Sequence, residues 1–336
     1  MKTWELQNSF GIDSLTLTER PQPQPAAGQV LVKIRACSLN YRDMMMVKGI
    51  YDPKLRFPLV PLSDGAGEIV AAGEGVSRVR VGDSVAGAFM QKWLDGGATD
   101  AKAKSALGGA IPGVAAEYVA FDAEGVVRFP EHLTDEEAAT LPCAAVTAWN
   151  ALVTTGKLKA GDTVLVQGTG GVSLFALQFA KALGARVIAT SSSDAKLKRV
   201  LELGASDGIN YKATPEWGKR AREITGGVGV DHVVEVGGAG TLTESLRAVR
   251  MGGRISLIGV LSGGGQVDPR PILMKNVCVQ GIFVGSRAMF EAMNDAIARH
   301  RVRPIVDRVF PFGELPDALR HMELGAHFGK IALKAP

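Results

Sequence analysis

A run of buried-strand character, Thr163-Val164-Leu165-Val166-Gln167, opens directly into Gly168-Thr169-Gly170-Gly171-Val172-Ser173 and then into an apolar-periodic segment. This junction narrows the possible folds more than any other stretch of the chain. A glycine allows the tight turn, and further glycines let backbone approach a phosphate. The N-terminus of the next helix then offers unpaired N–H groups and a positive dipole end to an anion. In isolation Gly-x-Gly is a common βα turn. Here the periodicity predicts a strand at 163–167, a helix over 172–183 with Phe175, Phe179 and Leu183 on one face, and a second strand at 186–190, the context a dinucleotide's pyrophosphate requires.

The rest of the chain is organised around that junction. Before it lie short strand-like runs at 29–36, 68–72, 78–85 and 117–121 between turn signals, with prolines at 21, 23 and 25, a texture that suits a compact, mostly β domain. From about residue 135 strands and helices alternate. Strands are expected at 163–167, 186–190, 208–210, 231–236, 254–260 and 277–284, with helices at 195–203, 215–224 and 242–249 between them. Six such strands with crossovers make a doubly wound parallel sheet. A helix at 286–299 and strands at 305–310 and 330–334 follow, and these strands could return to the first domain. The Ala/Lys/Gly stretch at 101–109 reads as a surface excursion.

Composition excludes several classes. With 336 residues, 46% hydrophobic and 21% charged, the chain is of ordinary globular type and long enough for about two domains. A net charge of +4, spread without a basic run, argues against a nucleic-acid partner, and a phosphate-bearing cofactor accounts for it. No apolar stretch approaches the roughly 18 residues that would cross a membrane, and the N-terminus lacks a signal core, so a cytoplasmic protein is expected. Cys37, Cys143 and Cys278 are too far apart in sequence for a zinc ribbon or a disulfide framework.

The choice of nucleotide is read at the end of the second strand. Where NAD is used, an acidic residue about 20 positions after the glycine turn bonds the ribose. This chain has Thr190-Ser191-Ser192-Ser193 there, with Lys196 close behind. Hydroxyls can donate to a 2′-phosphate and a lysine can add charge, so NADPH is the expected cofactor. Lys196 reads equally as part of a solvated helix face, and Asp194 reads as the cap of the following helix.

With these segments placed, the chain resembles the medium-chain dehydrogenase/reductase superfamily, in its zinc-free quinone reductase and enoyl reductase branch. The likeness rests on several motifs taken together. They are Ala36-Cys37-Ser38-Leu39-Asn40-Tyr41-Arg42-Asp43, Gly49-Ile50-Tyr51, Leu62-Ser63-Asp64-Gly65-Ala66-Gly67, Leu141-Pro142-Cys143-Ala144, the glycine turn, Val234-Glu235-Val236-Gly237-Gly238 and His327-Phe328-Gly329-Lys330. The resemblance implies a GroES-like catalytic domain from 1–125 and 285–336, a Rossmann domain over 126–284, an active-site cleft at their junction, and a homodimer. It also assigns Gly168, Thr169, Gly170, Gly171 and Val172 to the cofactor turn.

Departures from the zinc-containing alcohol dehydrogenases of that superfamily bear on the chemistry. Their catalytic zinc takes a cysteine, a histidine and a second cysteine. By motif, Asn40 stands at the first position and Ser63, followed by Asp64, at the second; only Cys143 remains. The segment 88–116, where a structural zinc lobe would lie, has no cysteine. Without a Lewis acid an alkoxide loses its main support, whereas hydride delivery to a quinone or to the β-carbon of an α,β-unsaturated carbonyl needs mainly positioning and a proton.

The resemblance makes Tyr51 the proton donor and places Asn40 near nicotinamide and substrate. It sets Val284, Gly285 and Ser286 against the nicotinamide, and Lys330 on the cofactor's phosphates. Trp93 could cap a flat substrate, although a core role is the commoner fate of a tryptophan. Tyr51 also reads as part of an ordinary aromatic loop, and Lys330 as a surface lysine. Two alternatives stay open: an alcohol or aldehyde dehydrogenase with an atypical ligand set including Asp64 and Cys143, and a non-catalytic NADPH-binding sensor.

Overall fold

A computed structural model describes residues 1–259, 261 and 263–336. The chain forms two compact units, Met1–Val146 with Gly285–Pro336, and Thr147–Val284. Residues 126–146, expected in the nucleotide domain, belong to the first unit. The reason is pairing: Val126–Arg128 is hydrogen-bonded antiparallel to Ser84–Gly87.

The first unit is built on a seven-stranded sheet. Its central strand, Gln29–Ser38, alternates buried and exposed residues over Val32–Ala36 and is buried on both faces at Val30–Val32 and Ala36–Ser38. It pairs antiparallel with Asp64–Ala72, with Tyr118–Asp122 and with Lys330–Lys334, and the last of these runs parallel to Val306–Pro311. Val32, Ile34, Leu62, Ile69, Val85, Phe121, Ile331 and Leu333 are fully buried in the core. Register decides what gathers at one end of the sheet. Ser38 lies opposite Asp64 on one side and Ala332 on the other, so the residues just past Ser38 meet the start of the Lys330–Lys334 strand.

Three local expectations change. The strand at 78–85 shrinks to Ser84–Gly87, because Arg80 and Asp83 close a turn through Asp83 N to Arg80 O (3.1 Å) and Arg80 N to Asp83 Oδ2 (3.0 Å). The stretch at 101–109 is not purely superficial, since Ser105, Ala106 and Leu107 are buried. A hairpin of Lys2–Leu6 with Leu15–Glu19 was not foreseen.

The second unit is a six-stranded, all-parallel sheet. Its order is Asp207–Asn210, Arg186–Ser191, Thr163–Gln167, Val230–Glu235, Val249–Leu257, Cys278–Gly281. Strands add in one direction from Thr163–Gln167 and then in the other, which leaves a crevice beyond the carboxyl ends of Thr163–Gln167 and Val230–Glu235. Leu165, Ile188, Ile209, Trp217, Val233 and Ile255 fill the core against the helices. Asp194 does not cap the next helix: Ser193 is the cap, accepting from Lys196 N at 3.3 Å, and Asp194 is the first helical residue, accepting from Asn210 Nδ2. Val260, the last residue of the strand expected at 254–260, lies outside the described residues. The strand expected at 277–284 is confined to Cys278–Gly281. Among the described residues no helix is long and apolar enough to cross a membrane.

Candidate active site

Two constellations hold most of the expected site residues, one in each unit. In the second unit, Gly168 has φ +69° and donates its N–H to Thr190 O at 2.8 Å, so a left-handed turn closes immediately after the strand. Gly170 then caps the Gly171–Ala182 helix without any side-chain bond, leaving the first N–H groups bare. Its φ of −81° suits any residue, and a Cβ built on it would meet nothing within 4 Å. Neither backbone conformation nor packing demands a glycine there. Open space beside uncapped N–H groups fits a pyrophosphate.

The strand tip adds hydroxyls. Ser191 Oγ accepts from Ser193 N at 3.3 Å and Ser193 Oγ accepts from Lys196 N, so both oxygens serve as acceptors in the turn and their protons remain to be given. Thr169 is buried, while Gly171, Val172, Ser192 and Lys196 are half-buried.

Sequence reasoning missed the device that anchors this turn. Glu235, fully buried, accepts from Gly237 N (2.8 Å), Gly238 N (3.0 Å), Thr241 Oγ1 (2.5 Å), Ser245 Oγ and Gln167 Nε2 (2.6 Å). Gln167 Oε1 accepts from Val236 N and Gly237 N at 3.2 Å. A buried carboxylate with five donors is satisfied, and it ties the ends of the two strands that flank the crevice. The signal was a Gln and a Glu each ending an apolar strand run.

In the first unit, the sheet register brings together four distant segments. Asn40 precedes the Tyr41–Val47 helix, and its N–H donates to Asp43 Oδ2 at 2.8 Å in a capping box. Lys330 is 4% exposed, and its Nζ donates to Leu39 O and to Asn40 Oδ1, both at 2.6 Å. Asn40 Nδ2 donates to Ser63 Oγ (3.3 Å), Ser63 Oγ to Asp64 Oδ1 (2.7 Å), and Cys143 N to Asp64 Oδ2 (3.1 Å).

Burial governs the electrostatics of this cluster. It raises the Asp43 carboxyl to about 6; Arg42 opposes, Asp64 adds to the rise, and the Asn40 N–H and Lys330 also oppose. It pushes Asp64 up against the pull of Lys330, Ser63, Asn40 and the Cys143 N–H. The Cys143 thiol is driven well above its ordinary range by burial and then by Asp64, and so is Cys37.

The donor set does not fit a zinc ion. The Asn40 oxygen is already turned to an ammonium and Ser63 gives its proton to a carboxylate, so of the three ligand positions only Cys143 offers a good zinc ligand. Among the described residues no group of three His, Cys, Asp or Glu side chains could hold a metal.

The other expected residues are placed as follows. Tyr51 follows the Tyr41–Val47 helix, 45% exposed, with its ring 5.7 Å from the Arg42 guanidinium carbon and its N–H on Met45 O at 3.3 Å. Trp93 is buried, and its indole N–H donates to Gly96 O at 2.8 Å, so its polar edge serves its own loop. Lys330 is not a surface lysine, and two of its donors are spent on Leu39 and Asn40. Val284 takes φ +55°, and its carbonyl accepts from Asn150 Nδ2 at 2.8 Å. At Gly285 a Cβ would come within 2.6 Å of Val146 Cγ1 and 2.9 Å of Met289 Sδ, so packing within the first unit explains that glycine. Ser286, buried, caps the Arg287–His300 helix through Met289 N at 3.2 Å.

A parallel sheet with a bare glycine turn at its switch point, joined to a GroES-like unit with a buried polar cluster, defines a nicotinamide-dinucleotide oxidoreductase. The alcohol dehydrogenase GroES-like domain model matches residues 26–131, and the zinc-binding dehydrogenase model matches residues 171–299. A zinc-type alcohol dehydrogenase-like protein of Schizosaccharomyces pombe is 47% identical over 332 residues, 96% of either chain. A solved structure from Sinorhizobium meliloti 1021 superposes with a TM-score of 0.93 at 44% identity, covering 99% of this chain and 98% of that one. The quinone oxidoreductase of Homo sapiens is 28% identical over 303 residues, 88% of this chain and 85% of that one. The chain belongs to the medium-chain dehydrogenase/reductase superfamily.

Proposed function

We propose that the protein is an NADPH-dependent, zinc-independent reductase that delivers hydride to quinones or to the β-carbon of α,β-unsaturated carbonyls. The observation that carries this reading is the cluster around Asn40: at the positions where zinc ligands would stand, an amide and a hydroxyl are hydrogen-bonded into a network whose resident cation is Lys330. Such a network cannot stabilise an alkoxide as a metal does. It can present an N–H to an oxygen that gains charge as hydride arrives at carbon.

NADPH, when bound, supplies the hydride. The backbone of Gly168, Thr169, Gly170, Gly171 and Val172 would hold its pyrophosphate, while Ser191, Ser192, Ser193 and Lys196 would take the 2′-phosphate. Asn40 donates to the carbonyl oxygen of the acceptor. Tyr51 gives a proton to the enolate that an enone becomes, and a reduced quinone can draw its protons from water. The human relative's name agrees with this acceptor class. The name of the S. pombe relative favours alcohol oxidation instead, so the deciding assay must run both reactions.

The test is oxidation of NADPH or NADH with a quinone and an enone, beside reduction of NADP⁺ by a panel of alcohols. Both reductions should proceed, with NADPH preferred by about 10–100-fold, the worth of a charge-assisted bond of about 1.5–3 kcal/mol. Alcohol oxidation faster than either reduction, or equal efficiency with NADH, would contradict the proposal.

A further inference from the structure

We infer that Lys330 is a positioning residue: its buried ammonium fixes the Asn40 side-chain amide so that the N–H edge, and not the carbonyl, is turned to the acceptor's oxygen. This inference rests on the reductase reading above. An asparagine amide is nearly symmetric in shape but opposite in polarity at its two ends, so something must decide which edge faces a ligand. An ammonium has three donors and no lone pair, and it can therefore hold only Oδ1.

The geometry leaves no freedom in that choice. Lys330 Nζ lies 2.6 Å from Asn40 Oδ1 and 2.6 Å from Leu39 O, so the ammonium is held at two points. Lys330 is 4% exposed and Asn40 9%, which leaves little water to compete. On the other side Ser63 gives its own proton to Asp64 Oδ1, so Ser63 Oγ must accept from Asn40 Nδ2. Every proton in the series from Lys330 through Asn40 and Ser63 to Asp64 thus has one direction, and the amide's N–H edge, which faces Ser63 and Asp64, gives the acceptor the N–H that Ser63 does not take, in competition with the Asp64 carboxyl. Were the amide reversed, its carbonyl dipole would oppose charge on the acceptor. The positive charge of Lys330 beside Oδ1 also polarises the amide, which strengthens its N–H groups as donors.

This differs from the role that resemblance suggests, a contact to the cofactor's phosphates, and the two are separable. Lys330→Met should lower kcat for an enone by about 10²–10³-fold, the cost of losing one oxyanion donor, with the NADPH dissociation constant, read by fluorescence in the absence of acceptor, changed less than about threefold. Lys330→Arg, which keeps a charged donor, should recover part of the loss. A fall in NADPH affinity with kcat unchanged would make Lys330 a phosphate ligand and overturn the inference.

The orientation is also read without turnover, from the NMR resonances of the Asn40 side-chain amide in the parent and in Lys330→Met. They should shift markedly; unchanged resonances would overturn the orienting role even if the protein reduces neither acceptor, an outcome that sinks only the reductase reading. Should Lys330→Met fail to fold, Asn40→Asp keeps a partner for the ammonium and removes the amide's N–H donors, including the one given to Ser63. That variant should fold with lowered thermal stability, since a carboxylate then stands beside Ser63 and Asp64, and lose about 10²–10³-fold in kcat; parent-like kcat in it would refute the inference.

Discussion

The glycine turn of the second unit and the polar cluster of the first are built by opposite means. The turn is contiguous backbone, residues 168–172, and its donors are N–H groups that any sequence would carry. The cluster is side chains from Asn40, Ser63, Asp64 and Lys330, joined by the backbone N–H of Cys143, with 290 positions between its outermost members. A backbone site needs open space and the right φ; a side-chain site needs register. The first should tolerate substitution in stability and fail in binding, whereas the second should tie stability, pH and turnover together.

Three substitutions press on that contrast. The largest effect is expected at Tyr51, on the loop that follows the Asn40-capped helix. Tyr51→Phe should lower kcat with an enone by about 10²–10⁴-fold if the phenol protonates the enolate in the slow step, with NADPH affinity unchanged and a smaller effect on a quinone. Steady-state kinetics with both acceptors decide it, and a variant as fast as the parent on each would reduce Tyr51 to packing.

Next is Gly170→Val. A Cβ there meets no protein atom within 4 Å, so the thermal midpoint should stay close to the parent's. NADPH affinity should nevertheless fall by about 10–100-fold, as one charge-assisted bond to phosphate is lost. Loss of stability without loss of binding would show that the turn serves the fold alone.

The smallest effect is in the cluster. Burial raises Asp43 from its ordinary 3.8 to about 6. The folded state therefore holds this proton more tightly than the unfolded one. Its contribution to stability is full below about pH 4 and is lost as pH rises through about 6. Asp43→Asn, whose side-chain oxygen can still accept from Asn40 N, should flatten the stability profile between those values. Urea denaturation across that range measures it, and an unchanged slope would place the titration elsewhere.

The same contrast explains how much was legible in the sequence. Thr163–Gln167 and Lys330–Lys334 have the bounds their patterns predict, because a buried strand between turn signals writes its period locally. The turn followed from residues adjacent in sequence. The link from Lys330 to Asn40 did not, since it depends on Ser38 lying opposite Ala332, a register no local pattern contains. Gly285 shows the converse: a glycine attributed to cofactor approach has a packing reason of its own in Val146 and Met289. The Glu235 network escaped because two polar residues at strand ends look like surface until the strands pair. The boundary at 126, which the resemblance implied, falls inside the first unit because Val126–Arg128 pairs with Ser84–Gly87, a pairing that no local pattern contains.

On the proposed reading the site works without a metal, its amide and hydroxyl held in place by the charge on Lys330. Elemental analysis of the purified protein, combined with NADPH-dependent reduction of an enone and a quinone before and after prolonged chelation, decides this. Zinc should lie far below one per chain and both rates should be unchanged by the chelator. About one tightly held zinc per chain, with both reductions lost when it is removed, would contradict it.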